Sequence, residues 1–293
     1  MDERLFARLA SRLRDEAVIL ASVLETRGAT PRKFGSRMLI GRNVCEFSIG
    51  GGEAEARVIE AARALLTGDE TQGEVAIDLS GGEGAAGICG GRMRVALRRW
   101  QGEADRALAH DIAETLASGL TATLPAAAVG DAAEDFLLEP DFRLLIVGAG
   151  HCGLALFELA RHLDFDLWVF DPRPDCFASA AFAGAQILCG EYGLLRSALD
   201  TSRSVFAVLL SRDFQSDIDA LSVLADDPPD FIGMMGSRRR VDEVLKALPA
   251  SAAKLPVTAP VGIDLGEETP HEIAVAILAQ LVQQRCAARV VGA

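Results

Sequence analysis

Five segments of the sequence set glycines beside a side chain able to do chemistry. Gly148-Ala149-Gly150-His151-Cys152-Gly153 follows a largely apolar run at 143–147 and leads into a helical pattern. A G-x-G-x-x-G turn in that setting lets a phosphate approach the free N–H groups at a helix start. Asp171 follows Gly148 by 23 residues and ends the next apolar run. A carboxylate there accepts hydrogen bonds from ribose hydroxyls and repels a 2′-phosphate, which favours an NAD-type ligand; Arg173 works against that preference. The alternative is the same fold with a vestigial pocket or another phosphate-bearing ligand.

Ser48-Ile49-Gly50-Gly51-Gly52-Glu53 runs into a second helical pattern, and its glycines offer backbone donors suited to an anion. A tight strand-to-helix turn is the alternative. Ile88-Cys89-Gly90-Gly91 sets a thiol on open backbone, from which a thiolate can meet a metal or enter sulfur chemistry; an inert thiol is the alternative. Gly28-Ala29-Thr30-Pro31-Arg32, with Lys33 and Arg37 behind it, pairs arginines with a phosphate or carboxylate, or is a solvated loop. Last, Gly236-Ser237-Arg238 follows the apolar run 230–234, and ligands of parallel sheets bind at such strand ends.

Other chemistries find less support. His110, His151, His162 and His271 show no metal-binding spacing, and only His151 stands in a glycine turn. The 6 cysteines form no C-x-x-C pair, which disfavours structural zinc and fits free thiols in a reducing cytoplasm. No Ser-His-Asp set is recognisable. The net charge of −13 excludes bulk non-specific binding to nucleic acid. No apolar run reaches 18 residues and the N-terminus has no apolar signal core, so neither membrane span nor leader is expected, and the location read is cytoplasmic.

These segments need elements to hold them. The chain is 293 residues, enough for about two domains. Periodicity predicts helices at 2–16, 53–66 and 105–118 and strands at 17–24, 37–41, 74–79 and 93–100. Ala-, Pro- and acid-rich composition at 121–141 reads as a linker. Beyond it, strands at 143–147, 167–170, 186–189, 204–210 and 230–234 alternate with helices at 154–163, 214–225 and 238–248, which predicts a covered parallel sheet. Thr269, Pro270 and Glu272 mark the start of a last helix at 271–286 as a capping box. The expected fold is α/β, with a mixed α+β domain at 1–120 and a Rossmann-like domain at 142–293. The ligand is expected at the domain interface, and symmetry statistics favour a homodimer.

Taken together the motifs resemble the XdhC/CoxI family of accessory proteins for molybdenum hydroxylases such as xanthine dehydrogenase. The resemblance rests on 26–32, 35–38, 49–53 and 89–91 in the first half, and on 148–153, 171–173, 232–238, 259–266 and 269–275 in the second. It implies a maturation chaperone more than a classical enzyme. Such a protein binds molybdenum cofactor, assists replacement of an oxo ligand by sulfur, and delivers the cofactor to an apo-hydroxylase, with a cysteine desulfurase as second partner. Carried onto this chain, the resemblance puts Cys89 at the metal or the incoming sulfur. Arg32, Arg37, Gly50, Gly51, Gly52, Glu53, Gly90 and Gly91 would bind cofactor, as would Gly148, Gly150, His151, Gly153, Asp171, Gly236, Ser237 and Arg238. The chain departs from the family at Leu210-Ser211-Arg212-Asp213, where Arg212 replaces a usual His, and at Ser48, which keeps a hydroxyl one position before the usual Thr. An NAD-dependent oxidoreductase and an NAD-sensing module are the competing readings of 148–153 and Asp171.

Overall fold

The computed structural model describes residues 2–291 except 83, 131, 212, 250, 251, 253 and 254, and for 289–291 the backbone alone. The departure at Arg212 therefore lies outside the described residues. The chain divides into two compact units, Met1–Pro140 and Asp141–Ala293.

The first unit runs α1 (Asp2–Arg12), β1 (Val18–Arg27), β2 (Arg37–Ile40), β3 (Cys45–Phe47), α2 (Gly52–Thr67), β4 (Gln72–Asp78), β5 (Arg92–Trp100), α3 (Gly102–Ala117), β6 (Ala122–Leu124) and β7 (Phe136–Leu138). Five strands form an antiparallel sheet in the order β3-β2-β1-β5-β4. Side chains alternate across a strand, and in β1 both faces are apolar. Val18, Leu20 and Leu24 join the core under α1 and α3, while Ile19, Ala21 and Val23 join that under α2. The sheet is thus covered on both sides.

The segment expected as a linker, 121–141, belongs to this unit as far as Pro140. β6 and β7 pair as an antiparallel ribbon, and Leu124, Ala128, Val129 and Leu138 are buried with α1 and α3. Trp100, fully buried, donates its indole N–H to the Ala128 carbonyl at 3.1 Å. Alanine and leucine supply apolar area that composition alone counts as spacer.

The second unit runs β8 (Phe142–Val147), α4 (His151–Ala160), β9 (Phe165–Asp171), β10 (Gln186–Cys189), α5 (Leu195–Leu199), β11 (Val205–Leu209), α6 (Phe214–Leu224), β12 (Phe231–Met234), α7 (Arg238–Ala247), β13 (Val257–Thr258) and α8 (Pro270–Val291). All six strands are parallel, in the order β10-β9-β8-β11-β12-β13. Numbered within the unit, that is 3-2-1-4-5-6, the doubly wound Rossmann order. α4 and α8 cover one face and α5, α6 and α7 the other. The chain reverses between β8 and β11, which opens a crevice at their carboxyl ends. The glycine turn 148–153 begins there, with His151, Cys152 and Gly153 already in the first turn of α4.

The start of α8 is as the sequence indicates. The Thr269 hydroxyl accepts from Glu272 N at 3.3 Å, and Glu272 accepts from Thr269 N at 2.9 Å, the reciprocal bonds of a capping box.

Candidate functional site

The glycine turn is built by contact. Gly148 has φ +116°, and a Cβ there would meet the Leu210 and Ser211 backbone at 3.2–3.3 Å, so glycine lets β8 and β11 approach at the crevice. A Cβ on Gly153 would lie 1.9 Å from the Gly148 carbonyl oxygen, so glycine also sets the start of α4 against the turn. Gly150 differs: a Cβ there would meet nothing within 4 Å and would project into open space. The turn forms one wall of a 520 Å3 cavity, lined also by Asp171 and Arg173 from the end of β9, Tyr192, and Ser211 and Asp213 after β11.

Asp171, 2% exposed, organises that wall. One carboxylate oxygen accepts from Ala149 N at 2.8 Å and an Arg173 terminal nitrogen at 2.9 Å. The other accepts from Arg173 N at 3.0 Å and Arg173 Nε at 2.9 Å. Burial pushes this carboxyl up, but the bonds from the Arg173 side chain, its backbone and Ala149 outweigh burial, leaving it below the usual carboxylate range. A carboxylate has about four lone-pair positions, and all are in use. The carboxylate expected from the sequence to receive ribose hydroxyls is thus already occupied by donors of Arg173 and Ala149.

On the opposite side Asp213 caps α6, accepting from Ser216 N and Oγ, both at 2.8 Å. One turn on, Asp217 is buried and takes Arg240 at 2.6 Å, and the same guanidinium donates to the Ser211 carbonyl at 3.2 Å. Burial raises the Asp217 carboxyl to about 6 against the opposing pull of Arg240. Arg240, not Arg238, therefore ties α7 to the loop that lines the cavity. Met235 lines the cavity, whereas Gly236, Ser237 and Arg238 do not. Ser237 instead caps its own helix, accepting from Arg240 N at 3.3 Å, and Arg238 is exposed.

In the first unit three of the chemical segments meet. A Cβ on Gly91 would lie 2.3 Å from the Ala29 carbonyl oxygen, and one on Gly28 would lie 3.0 Å from that of Gly90. A Cβ on Gly50 would fall 2.5 Å from Pro31. Loop 28–32 is thus wedged between loops 48–53 and 88–91, with Arg32 and Cys89 both exposed. Around Gly51, Gly52 and Gly90 a Cβ would find nothing within 4 Å.

Two expectations for this region change. Glu55 already accepts from Ile49 N, Gly51 N and the Ser48 hydroxyl at 2.6–3.1 Å, and Ser48 accepts from Gly50 N at 3.0 Å. The loop's amides thus hold a carboxylate of this chain, and a phosphate does not fit there. Glu53 pairs with Arg57 at 3.0 Å. Arg37 is buried, salt-bridged to Asp2 at 2.9 Å and placed over the Phe136 ring, so it serves the fold and is closed to an anion. Among the described residues no group of three or more His, Cys, Asp and Glu could hold a metal ion. No described helix is long and apolar enough to cross a membrane.

Glu55 and Tyr192 join the site without having stood out in the sequence, and Arg173 does more there than oppose a preference for NAD. Glu55 had a weak signal, standing in the first turn of α2. Tyr192 had none beyond being the chain's one tyrosine.

Comparison with known proteins agrees with both units. Residues 144–281 match the model for the XdhC Rossmann domain, and residues 11–78 that for the XdhC and CoxI family. The uncharacterized protein YqeB of Escherichia coli is 26% identical over 90% of this chain and 43% of its own length. A probable xanthine dehydrogenase subunit from Bacillus subtilis is 30% identical over 50% of this chain and 44% of its own. The chain thus spans less than half the length of these curated relatives. A crystal structure described as a xanthine dehydrogenase from Bacillus halodurans superposes with a TM-score of 0.84 at 22% identity, covering 98% of this chain and 96% of that one, and shares the fold. With both models matched in order on the two units that carry the motifs, the chain belongs to the XdhC/CoxI family.

Proposed function

We propose that this chain is a maturation factor for a molybdenum hydroxylase such as xanthine dehydrogenase. It receives molybdenum cofactor as cargo, supports exchange of an oxo ligand for sulfur, and passes the cofactor to the apo-enzyme. The observation that carries this reading is that loop 28–32 touches both loop 48–53 and loop 88–91, the loop that carries the exposed thiol of Cys89. The cofactor's chemistry is that of a molybdenum centre on a pterin dithiolene, which a thiolate can approach. Cys89 is the residue we assign to the metal or to the incoming sulfur. Gly90 leaves open space next to it, Gly51 and Gly52 leave open space on the neighbouring loop, and Arg32 is an exposed cation of the loop that joins them. Ile49, Gly50 and Gly51 take no part in phosphate binding, since Glu55 and Ser48 hold their amides.

The Rossmann cavity supports a second, compatible function as a nucleotide site, with the diphosphate at Gly150 and His151 where the turn is open. An NAD-dependent oxidoreductase or a sensing module uses that site alone. A cysteine desulfurase, the apo-hydroxylase and a second copy of this chain are the partners this reading calls for.

Activation of a cofactor-free hydroxylase tests delivery. The loaded protein restores hydroxylase turnover, and the Cys89→Ala protein restores about tenfold less. Equal restoration by both, or none by either, counts against the proposal.

A further inference from the structure

We propose that the Rossmann cavity takes an adenine dinucleotide carrying a phosphomonoester on its ribose, the NADP class, in preference to the unphosphorylated NAD class, and that Arg173 sets this preference. The inference rests on reading the cavity as a nucleotide site.

The end of β9 is where a doubly wound fold meets the adenosine ribose. A free ribose diol donates hydrogen bonds there and requires an acceptor. Asp171 has none to offer, because Ala149 N, Arg173 N, Arg173 Nε and an Arg173 terminal nitrogen occupy its four lone-pair positions. The other carboxylate on the cavity wall, Asp213, is turned onto the first turn of α6, where it holds Ser216 N and Oγ. Asp171, the carboxylate at the end of β9, cannot receive a diol without breaking one of these bonds; Asp213 keeps its other oxygen open but follows β11 rather than β9.

A phosphate has the opposite requirement, and Arg173 meets it. Asp171 engages two of the five N–H groups of the guanidinium. The side chain remains 67% exposed and lines the cavity. The ion pair also offsets the negative charge that would otherwise repel a 2′-phosphate. Asp171 thus acts as a positioning residue: it fixes the fork of Arg173 and, through Ala149, the glycine turn, so cation and diphosphate seat are held by one carboxylate.

Calorimetric titration of the full chain with NADP+, NAD+ and 2′,5′-ADP tests this, using the parent protein, Arg173→Gln and Arg173→Lys. In the parent, NADP+ binds at least about tenfold tighter than NAD+, the size of one charge-assisted hydrogen bond, and 2′,5′-ADP competes. Arg173→Gln abolishes most of that ratio by weakening NADP+ while NAD+ is unchanged or tighter, and Arg173→Lys keeps part of it. Arg173→Gln leaves the buried Asp171 carboxylate without its charge partner and melts below the parent, whereas Arg173→Lys keeps the charge, so all titrations are made well below the lowest melting transition. NAD+ binding as tightly as NADP+ to the parent, or an unchanged ratio in Arg173→Gln, overturns the inference and leaves the nucleotide site standing. Failure of every nucleotide to bind overturns both.

Discussion

Gly150 and Gly153 share one turn yet serve different ends, and substitution separates them. At Gly153 an added methyl collides with the Gly148 carbonyl, so Gly153→Ala costs about 3 kcal/mol or more in denaturant unfolding. Gly150→Ala puts its methyl into open space, so stability falls by less than about 1 kcal/mol while nucleotide binding weakens severalfold. Equal stability of the two variants would contradict this division. Asp217 gives a pH test. Burial raises its folded carboxyl to about 6, so the folded chain binds this proton more tightly than the unfolded one. Its contribution to stability is full below the ordinary Asp value of about 3.9 and is lost as pH rises through about 6. Asp217→Asn removes that titration, so the melting temperature of the variant minus that of the parent climbs between pH 4 and pH 7. A difference that stays flat rules the assignment out. Residue types were legible where backbone geometry demanded glycine, as at 148–153. Arg37 was misread because its partner, Asp2, stands 35 positions away, and Asp171 because Arg173 turns back onto it.

Elements announced themselves where periodicity and capping agreed. Thr269 and Glu272 bond reciprocally at the start of α8, and Thr269→Ala is expected to cost about 1 kcal/mol of unfolding free energy. An unchanged denaturation midpoint would show that packing alone holds that end. The strands of the second unit were readable because both faces of a parallel sheet are apolar. β3 and β13, of three and two residues, were too short to give a pattern. The β6–β7 ribbon was hidden for another reason: each strand is three residues long, and its partners are α1, α3 and Trp100. Loop 48–53 shows the same limit, since a glycine run that suits an anion was matched by a carboxylate of the chain itself.

At the scale of the whole molecule the four cores divide cleanly, two within residues 5–138 and two within 142–281. The second unit expressed alone as 141–293 is therefore expected to fold and keep its nucleotide affinity. A fragment of 1–140 folds, whereas one of 1–120 loses the buried Leu124, Ala128, Val129 and Leu138 and melts at least about 10 °C lower. Matching melting curves for the two N-terminal fragments would return 121–141 to the status of a linker. Under the proposed function, the first unit holds molybdenum cofactor at Cys89. The measurement that tests it most directly is cofactor content, with molybdenum by mass spectrometry and pterin by fluorescence after oxidation, in the parent and in Cys89→Ala purified from a host that makes the cofactor. Near-stoichiometric pterin is expected in the parent, with loss of molybdenum in the variant. No pterin above background in the parent, or metal retained in full by the variant, would contradict it.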